Sequence, residues 1–262
     1  MTRAVWDDLA PRLASGAALA LVCGAAVAAG GVWLNALAVL AVGLMSWELS
    51  RITAAGHPRD AVLVGLFAAA MLTLVLWRHD PYWMPFLAAP ALLAWLRAPS
   101  GRLQAAGIAL AIMVTGYGMV AFRAGYGLPW IVWLILIVAA VDILGYFGGR
   151  LIGGPKFRPA IRPKKTWSGT ISGWAGAGAV GAGAWVLGDA PGWIIPFSAL
   201  VGFAGQLGDV AESAVKRRAG VKDASNLIPG HGGLMDRFDG LSGAVVFCLL
   251  WAQLLPLPHV GG

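Results

Sequence analysis

A chain of 262 residues with 59% hydrophobic and only 12% charged side chains, and a mean hydropathy of +0.75, is too apolar for an ordinary soluble domain. A net charge of +7 and a pI near 9.9 invite a nucleic-acid reading. The cations, however, flank apolar runs with no aromatic platform beside them, so anionic lipid head groups and phosphates are the expected partners, and nucleic acid is not.

Uncharged apolar runs occupy 13 to 49, 61 to 77, 82 to 96, 103 to 122, 128 to 149, 169 to 188, 192 to 211 and 241 to 258. They lack the polar alternation of a barrel wall, so they read as helices. As one helix the first run would measure roughly 55 Å against a hydrocarbon core of about 30 Å, so it is two spans turning near Gly30-Gly31. The fold class is therefore all-α: a polytopic integral membrane protein with about nine transmembrane helices. The doubtful span is 82 to 96, which is short and contains Pro85 and Pro90. With it, 17 of the 19 Lys and Arg residues fall on the N-terminal side and only Arg78 and Arg123 opposite. Without it the split degrades to 14 against 5. The positive-inside rule thus favours nine spans in the inner (plasma) membrane, with the N-terminus in the cytoplasm. Asp7, Asp8 and Arg12 precede the first run, which leads straight into a second, so no cleavable leader is read and the first helix is expected to stay. Cys23 and Cys248 sit within apolar runs and are read as small packed hydrophobes. Residues 1 to 125 are expected to form a lipid-facing scaffold, and residues 126 to 262 to carry the catalytic loops, within one membrane domain.

Two cytoplasmic loops stand out. The first, Arg150 to Thr166, contains Arg150, Lys156, Arg158, Arg162, Lys164 and Lys165. Asp142 lies about two turns before it, inside an apolar helix where an unpaired carboxylate costs roughly 2.5 to 3.5 kcal/mol and so needs a partner. Pro163-Lys164-Lys165-Thr166 then meets Trp167-Ser168-Gly169 at the start of the next span, aiming ammonium groups and a helix N-terminus where phosphate would bind.

The second loop gathers five of the twelve acidic residues, Asp209, Glu212, Asp223, Asp236 and Asp239. If the helix from 192 continues past the membrane surface, Asp209, Glu212, Ser213 and Lys216 share one face at i, i+3, i+4 and i+7. Asp236 and Asp239 repeat the i, i+3 relation before the last span. Carboxylates beside abundant cations suit a Mg²⁺ ion bridging to a polyphosphate: hard oxygens for the metal, fixed cations for the remaining phosphate charge. Between them, Pro229-Gly230-His231-Gly232-Gly233 allows a tight turn that presents backbone N–H groups to an anion. His231 is suited to donating to phosphate or shuttling a proton. The Gly/Ala repeat from Gly173 to Gly188 is read as helix packing. His57, His79 and His259 read as solvated loop residues, Trp-rich helix ends as an interfacial belt, and Glu48 as a peripheral candidate for orienting ligands from behind.

The run Ser213 to Asp239 resembles the long motif of the phosphatidate cytidylyltransferases, also called CDP-diacylglycerol synthases. Ser213, Lys216, Arg217, Lys222, Asp223, Pro229, His231, Gly232, Gly233, Asp236, Arg237 and Asp239 occupy its fixed positions. Upstream, Asp142 with Gly145, Tyr146, Gly149 and Arg150, and Lys164-Lys165-Thr166-Trp167, also resemble that family. Two positions depart: Arg162 stands where Ser is expected, and Ser168 where an acidic or amide residue is common. The resemblance implies that phosphatidate and CTP give CDP-diacylglycerol and pyrophosphate, with Mg²⁺ required and a second cation in a two-metal arrangement. Metal ligands are expected to be Asp209, Asp236 and Asp239. Lys216, Arg217, Lys222 and Arg237 would hold phosphates. Lys164 and Lys165 would close over nucleotide or lipid head group, and Asp142, Glu212 and Asp223 would orient ligands. Homodimerisation is a further expectation of the likeness. Three other readings are weighed. A CTP-dependent polyprenol or lipid-alcohol kinase would release CDP instead of pyrophosphate. A transporter or lipid scaffold would spread acids along a path through several helices. A CDP-alcohol phosphatidyltransferase would follow Asp239-Gly240 with Ala-Arg, where this chain has Leu-Ser-Gly.

Overall fold

The computed structural model describes residues 2–54, 58–78, 80–158, 161–162 and 164–261, with side chains from Ala14 onward. His57, His79 and Pro163 lie outside the described residues. Helices dominate, and the described residues form no strand beyond the isolated bridges Lys156 to Thr166 and Ile228 to Gly232.

The helices are α1 (Thr2–Ala29), α2 (Gly31–Thr53), α3 (Pro58–Arg78), α4 (Ala89–Arg97), α5 (Arg102–Leu151), α6 (Trp167–Leu187), α7 (Ile194–Arg218) and α8 (Met235–Ala252), with a 3-10 segment Pro81–Ala88 leading into α4. Gly30 and Gly31 adopt φ 65° and 49°, the left-handed region glycine tolerates, and turn the first apolar run into two helices. Within α5, Gly127 at φ 82° and ψ −178° breaks the helix just ahead of Pro129. At about 1.5 Å per residue α5 would otherwise run roughly 75 Å, enough for two crossings of a core of about 30 Å.

Among the described residues, α2, α3, α5 and α7 are long and apolar enough to cross a bilayer. The doubtful span 82 to 96 is helical in a form that its composition did not predict. Asp80 caps Pro81–Ala88 by accepting from Tyr82 N at 3.0 Å, and Pro85 lies inside the segment. A 3-10 turn rises about 2.0 Å per residue, so this segment and the nine residues of α4 together reach roughly 30 Å. Proline thus stretches a short run toward bilayer thickness.

The described chain divides into two compact units. The first joins Met1–Val120 to Val215–Phe238, so the second polar loop groups with the N-terminal helices. Its core is Val42, Met45, Leu49, Leu72, Met113 and Met235. Helices α2 and α3 approach backbone to backbone there, because a Cβ on Gly65 would meet Gly43 O at 2.6 Å.

The second unit joins Ala121–Ala214 to Asp239–Gly262. Ile137, Phe197, Val201 and Val245 are fully buried or nearly so. Small residues set its spacing: a Cβ on Gly173 would meet Val141 O and Gln206 Nε2, each at 3.0 Å, and one on Gly205 would meet Gly240 O at 3.0 Å. The Gly/Ala repeat of α6 is thus a packing surface within this unit. Large apolar side chains remain exposed along many helices, among them Leu21, Leu63, Trp77 and Val186, as a lipid-facing surface requires.

Candidate active site

The polar residues singled out from the sequence fall into two clusters, one in each unit. In the second unit, α7 extends to Arg218, so Asp209, Glu212 and Ser213 are helical and share a face. Asp239 stands in the first turns of α8. What brings Asp209 to Asp239 is the absence of side chains beside them. A Cβ on Gly208 would lie 2.5 Å from Asp239 O and 2.8 Å from Gly243 N.

Residues 155–157 and 165–167 are tied together by Phe157 N to Lys165 O at 2.8 Å and Trp167 N to Pro155 O at 3.0 Å. Phe157 and Trp167 pack edge to face with centroids 4.8 Å apart, and Thr166 caps α6 by accepting from Gly169 N at 3.2 Å. This fold places Arg162 and Lys165 beside the carboxylates. Arg162 ion-pairs with Asp209, lies 3.6 Å from Asp239 Oδ2, and donates from Nε to Ser213 Oγ at 2.9 Å. Lys165 Nζ is 3.7 Å from Asp209 Oδ2. Burial, then the like charge of Arg162, lowers the Lys165 ammonium to about 8 against the opposing pull of Asp142 and Asp239. At neutral pH it keeps its proton. Asp142, exposed at its helix surface, thus has Lys165 as an electrostatic partner. Glu212 is 2% exposed, one turn beyond Asp209. Ser168 donates to Gly153 O and hydrogen-bonds Thr166 Oγ1, so its role is local to the start of α6.

In the first unit, the buried Lys216 ammonium ion-pairs with Asp236 Oδ1. The other oxygen, Oδ2, accepts from Ala224 N at 2.9 Å and Gly233 N at 2.8 Å. Burial pushes this carboxyl up, but the hydrogen bond and charge of Lys216, with the two amides, outweigh it and hold the group below the usual carboxylate range. Asp236 also sits in the first turn of α8, where the helix dipole favours an anion.

The Pro229 to Gly233 turn closes through Ile228 N to Gly232 O and His231 N to Ile228 O, both 2.9 Å. Gly230 and Gly232 take φ 73° and 85°. Side chains are excluded as well: a Cβ on Gly232 would sit 3.0 Å from Asp236 Oδ2, and one on Gly233 2.6 Å from Glu48 Oε1. Ser15 Oγ donates to Pro229 O at 2.9 Å and hydrogen-bonds His231 Nδ1 at 3.0 Å, while Arg237 Nη2 donates to His231 O at 2.9 Å.

Arg217 donates to Val221 O at 3.1 Å and closes the end of α7. Lys164, Arg217, Lys222, Asp223 and Arg237 are exposed, and Asp223 lies against Gly232. Arg162 stands out in the sequence only as a departure from the family pattern, and nothing there marks it among six loop cations as the partner of Asp209 and Asp239. Glu48 reads from the sequence as peripheral, yet a lone carboxylate in an apolar run is itself a signal. Glu48 is fully buried and accepts from Ser225 Oγ at 2.5 Å, Leu234 N at 2.9 Å and Met235 N at 2.7 Å.

Among the described residues no group of three or more His, Cys, Asp or Glu side chains could hold a metal unaided. Yet Asp209 and Asp239 already converge on a cationic guanidinium, and Asp236 on an ammonium. One or two carboxylates with phosphate oxygens and water completing the shell is how Mg²⁺ is ordinarily held, so the donor set fits that ion.

The cytidylyltransferase family matches this chain over residues 10–255, and the chain belongs to that family. A phosphatidate cytidylyltransferase of Pseudomonas aeruginosa is 32% identical over 234 residues, covering 80% of this chain and 85% of that protein. Proteins of the same name from Brucella abortus biovar 1 and Haemophilus influenzae are 46% identical over 137 residues and 40% over 130. The matched stretches cover 52% and 47% of this chain, and 51% and 45% of those relatives, so the chain spans about half the length of these two.

Proposed function

We propose that the chain transfers the CMP group of CTP to phosphatidate, forming CDP-diacylglycerol and pyrophosphate in phospholipid biosynthesis. The observation that carries this reading is the pair of carboxylates from two helices, Asp209 and Asp239, gathered around one guanidinium in a membrane scaffold. The names of the relatives supply the substrates.

A phosphate oxygen of phosphatidate forms the new bond to the α-phosphorus of CTP. The bond from that phosphorus to the bridging oxygen breaks, and pyrophosphate leaves. Both substrates are polyanions, so the protein's task is charge neutralisation and alignment. Asp209 and Asp239 in the second unit, and separately Asp236 in the first, would each hold Mg²⁺ with phosphate oxygens and water, and the ion supplies charge neutralisation and a template for the triphosphate. Lys216, anchored by Asp236, and the exposed Arg217, Lys222 and Arg237 hold phosphate oxygens. Lys164 and Lys165 close over nucleotide or head group, and His231, fixed by Ser15 and the turn, donates to phosphate. Glu212, Asp223 and Asp142 orient these groups. The distribution of Lys and Arg supports placing this chemistry at the cytoplasmic face of the inner membrane, with the N-terminus on the same side.

Incubating purified protein in detergent with labelled CTP, phosphatidate and Mg²⁺ tests the reading. Label should enter the lipid phase with pyrophosphate appearing alongside. With a polyprenol or diacylglycerol supplied as acceptor in place of phosphatidate, phosphorylation of that alcohol with release of CDP would instead indicate a lipid-alcohol kinase.

A further inference from the structure

Glu48 lies on α2, 177 residues before the nearest of its partners in sequence, and is fully buried. Its Oε1 accepts from Ser225 Oγ and Leu234 N, and its Oε2 from Met235 N. Helix α8 starts at Met235, so the two backbone donors are amides at a helix N-terminus, which lack partners within the helix. A side chain from another helix therefore caps α8.

The partners of Glu48 interleave with those of Asp236. Asp236 holds the amides of Ala224 and Gly233, and Glu48 holds Ser225, Leu234 and Met235, the residues next to them or to Asp236 itself. Two carboxylates from different helices clamp one loop at both ends. Gly233 is part of the fit, because a Cβ there would lie 2.6 Å from Glu48 Oε1.

We propose that Glu48 is a positioning residue: through the backbone of residues 224 to 235 it sets the place of Asp236 and of the Lys216 that Asp236 holds. The proposal rests on the reading that Asp236 and Lys216 serve CMP transfer. It assigns Glu48 no contact with substrate.

The test uses full-length E48A and E48Q in detergent. Kinetics with CTP and phosphatidate are measured beside hydrogen exchange of peptides covering 222 to 238 and, as control, α3. Misplacing a reacting group by about 1 Å can cost about 100-fold, so E48A should lower kcat by roughly 10- to 100-fold while KM for CTP stays within about twofold. E48Q keeps an acceptor and the length of the side chain, and should fall between E48A and wild type. Exchange should accelerate across 224 to 235 and stay unchanged in α3. Wild-type kcat in E48A would overturn the proposal, as would acceleration of exchange throughout the chain. If the wild-type protein transfers no label from CTP, the proposed function fails, and the local exchange result still decides whether Glu48 positions this loop.

Discussion

At the scale of single residues, the Lys216 and Asp236 pair is the most constrained feature, with side chains only 7% and 5% exposed. Removing one partner of a buried ion pair typically costs about 3 to 5 kcal/mol, because the other charge is left without compensation. D236N should therefore both lose CDP-diacylglycerol formation and melt at a lower temperature. K216M/D236N, which removes both charges but keeps an acceptor for the amides of Ala224 and Gly233, should recover part of the melting temperature without recovering activity. Arg162 gives a separate test of the metal assignment, since it lies between Asp209 and Asp239. R162A leaves the two carboxylates with one cation fewer, Lys165 remaining beside them. Without divalent cation it should melt below wild type, and adding Mg²⁺ should raise its melting temperature by more than it raises that of wild type. Equal shifts in the two proteins would argue against Mg²⁺ at this pair.

Among the elements, the contact of α7 with α8 decides whether Asp209 and Asp239 meet. Gly208 permits it, and an added Cβ would sit 2.5 Å from Asp239 O. Backbone cannot swing aside as a flexible side chain can. G208A should reduce activity by about 10-fold or more while circular dichroism shows unchanged helix content, because a shift of about 1 Å at a reacting group suffices for that loss. The paired stretches 155–157 and 165–167 act as a second element, held by backbone bonds and by Phe157 against Trp167. W167A should loosen the seat of Arg162 and Lys165 and weaken nucleotide binding, read as a higher KM for CTP.

For the whole molecule, what the sequence made legible follows from local rules. The turn at Gly30-Gly31, the break between the runs 103 to 122 and 128 to 149, and the extension of the 192 run into the polar face holding Asp209, Glu212 and Ser213 each depend on residues close in the chain. The 3-10 form of Pro81–Ala88 was not legible, because proline count alone does not say which helix type its neighbours will accept. Glu48 and Arg162 were visible, but what each one binds was hidden for a different reason. Their partners lie 177 or more and 47 or more residues away in sequence, and no periodicity reports such a pairing. The motif between Ser213 and Asp239 was readable as chemistry, but the anchoring of its amides by Asp236 and Glu48 appears only in three dimensions.

On the proposed function, these carboxylates and cations support transfer of CMP from CTP to an acidic lipid. The most direct test is a side-by-side measurement of wild-type protein and D209N, counting pyrophosphate released against labelled lipid formed from CTP and phosphatidate with Mg²⁺. Equal amounts of the two products from wild type, and neither from a folded D209N, are the expected result. Labelled lipid formed at the wild-type rate by D209N, or CDP in place of pyrophosphate, would contradict it.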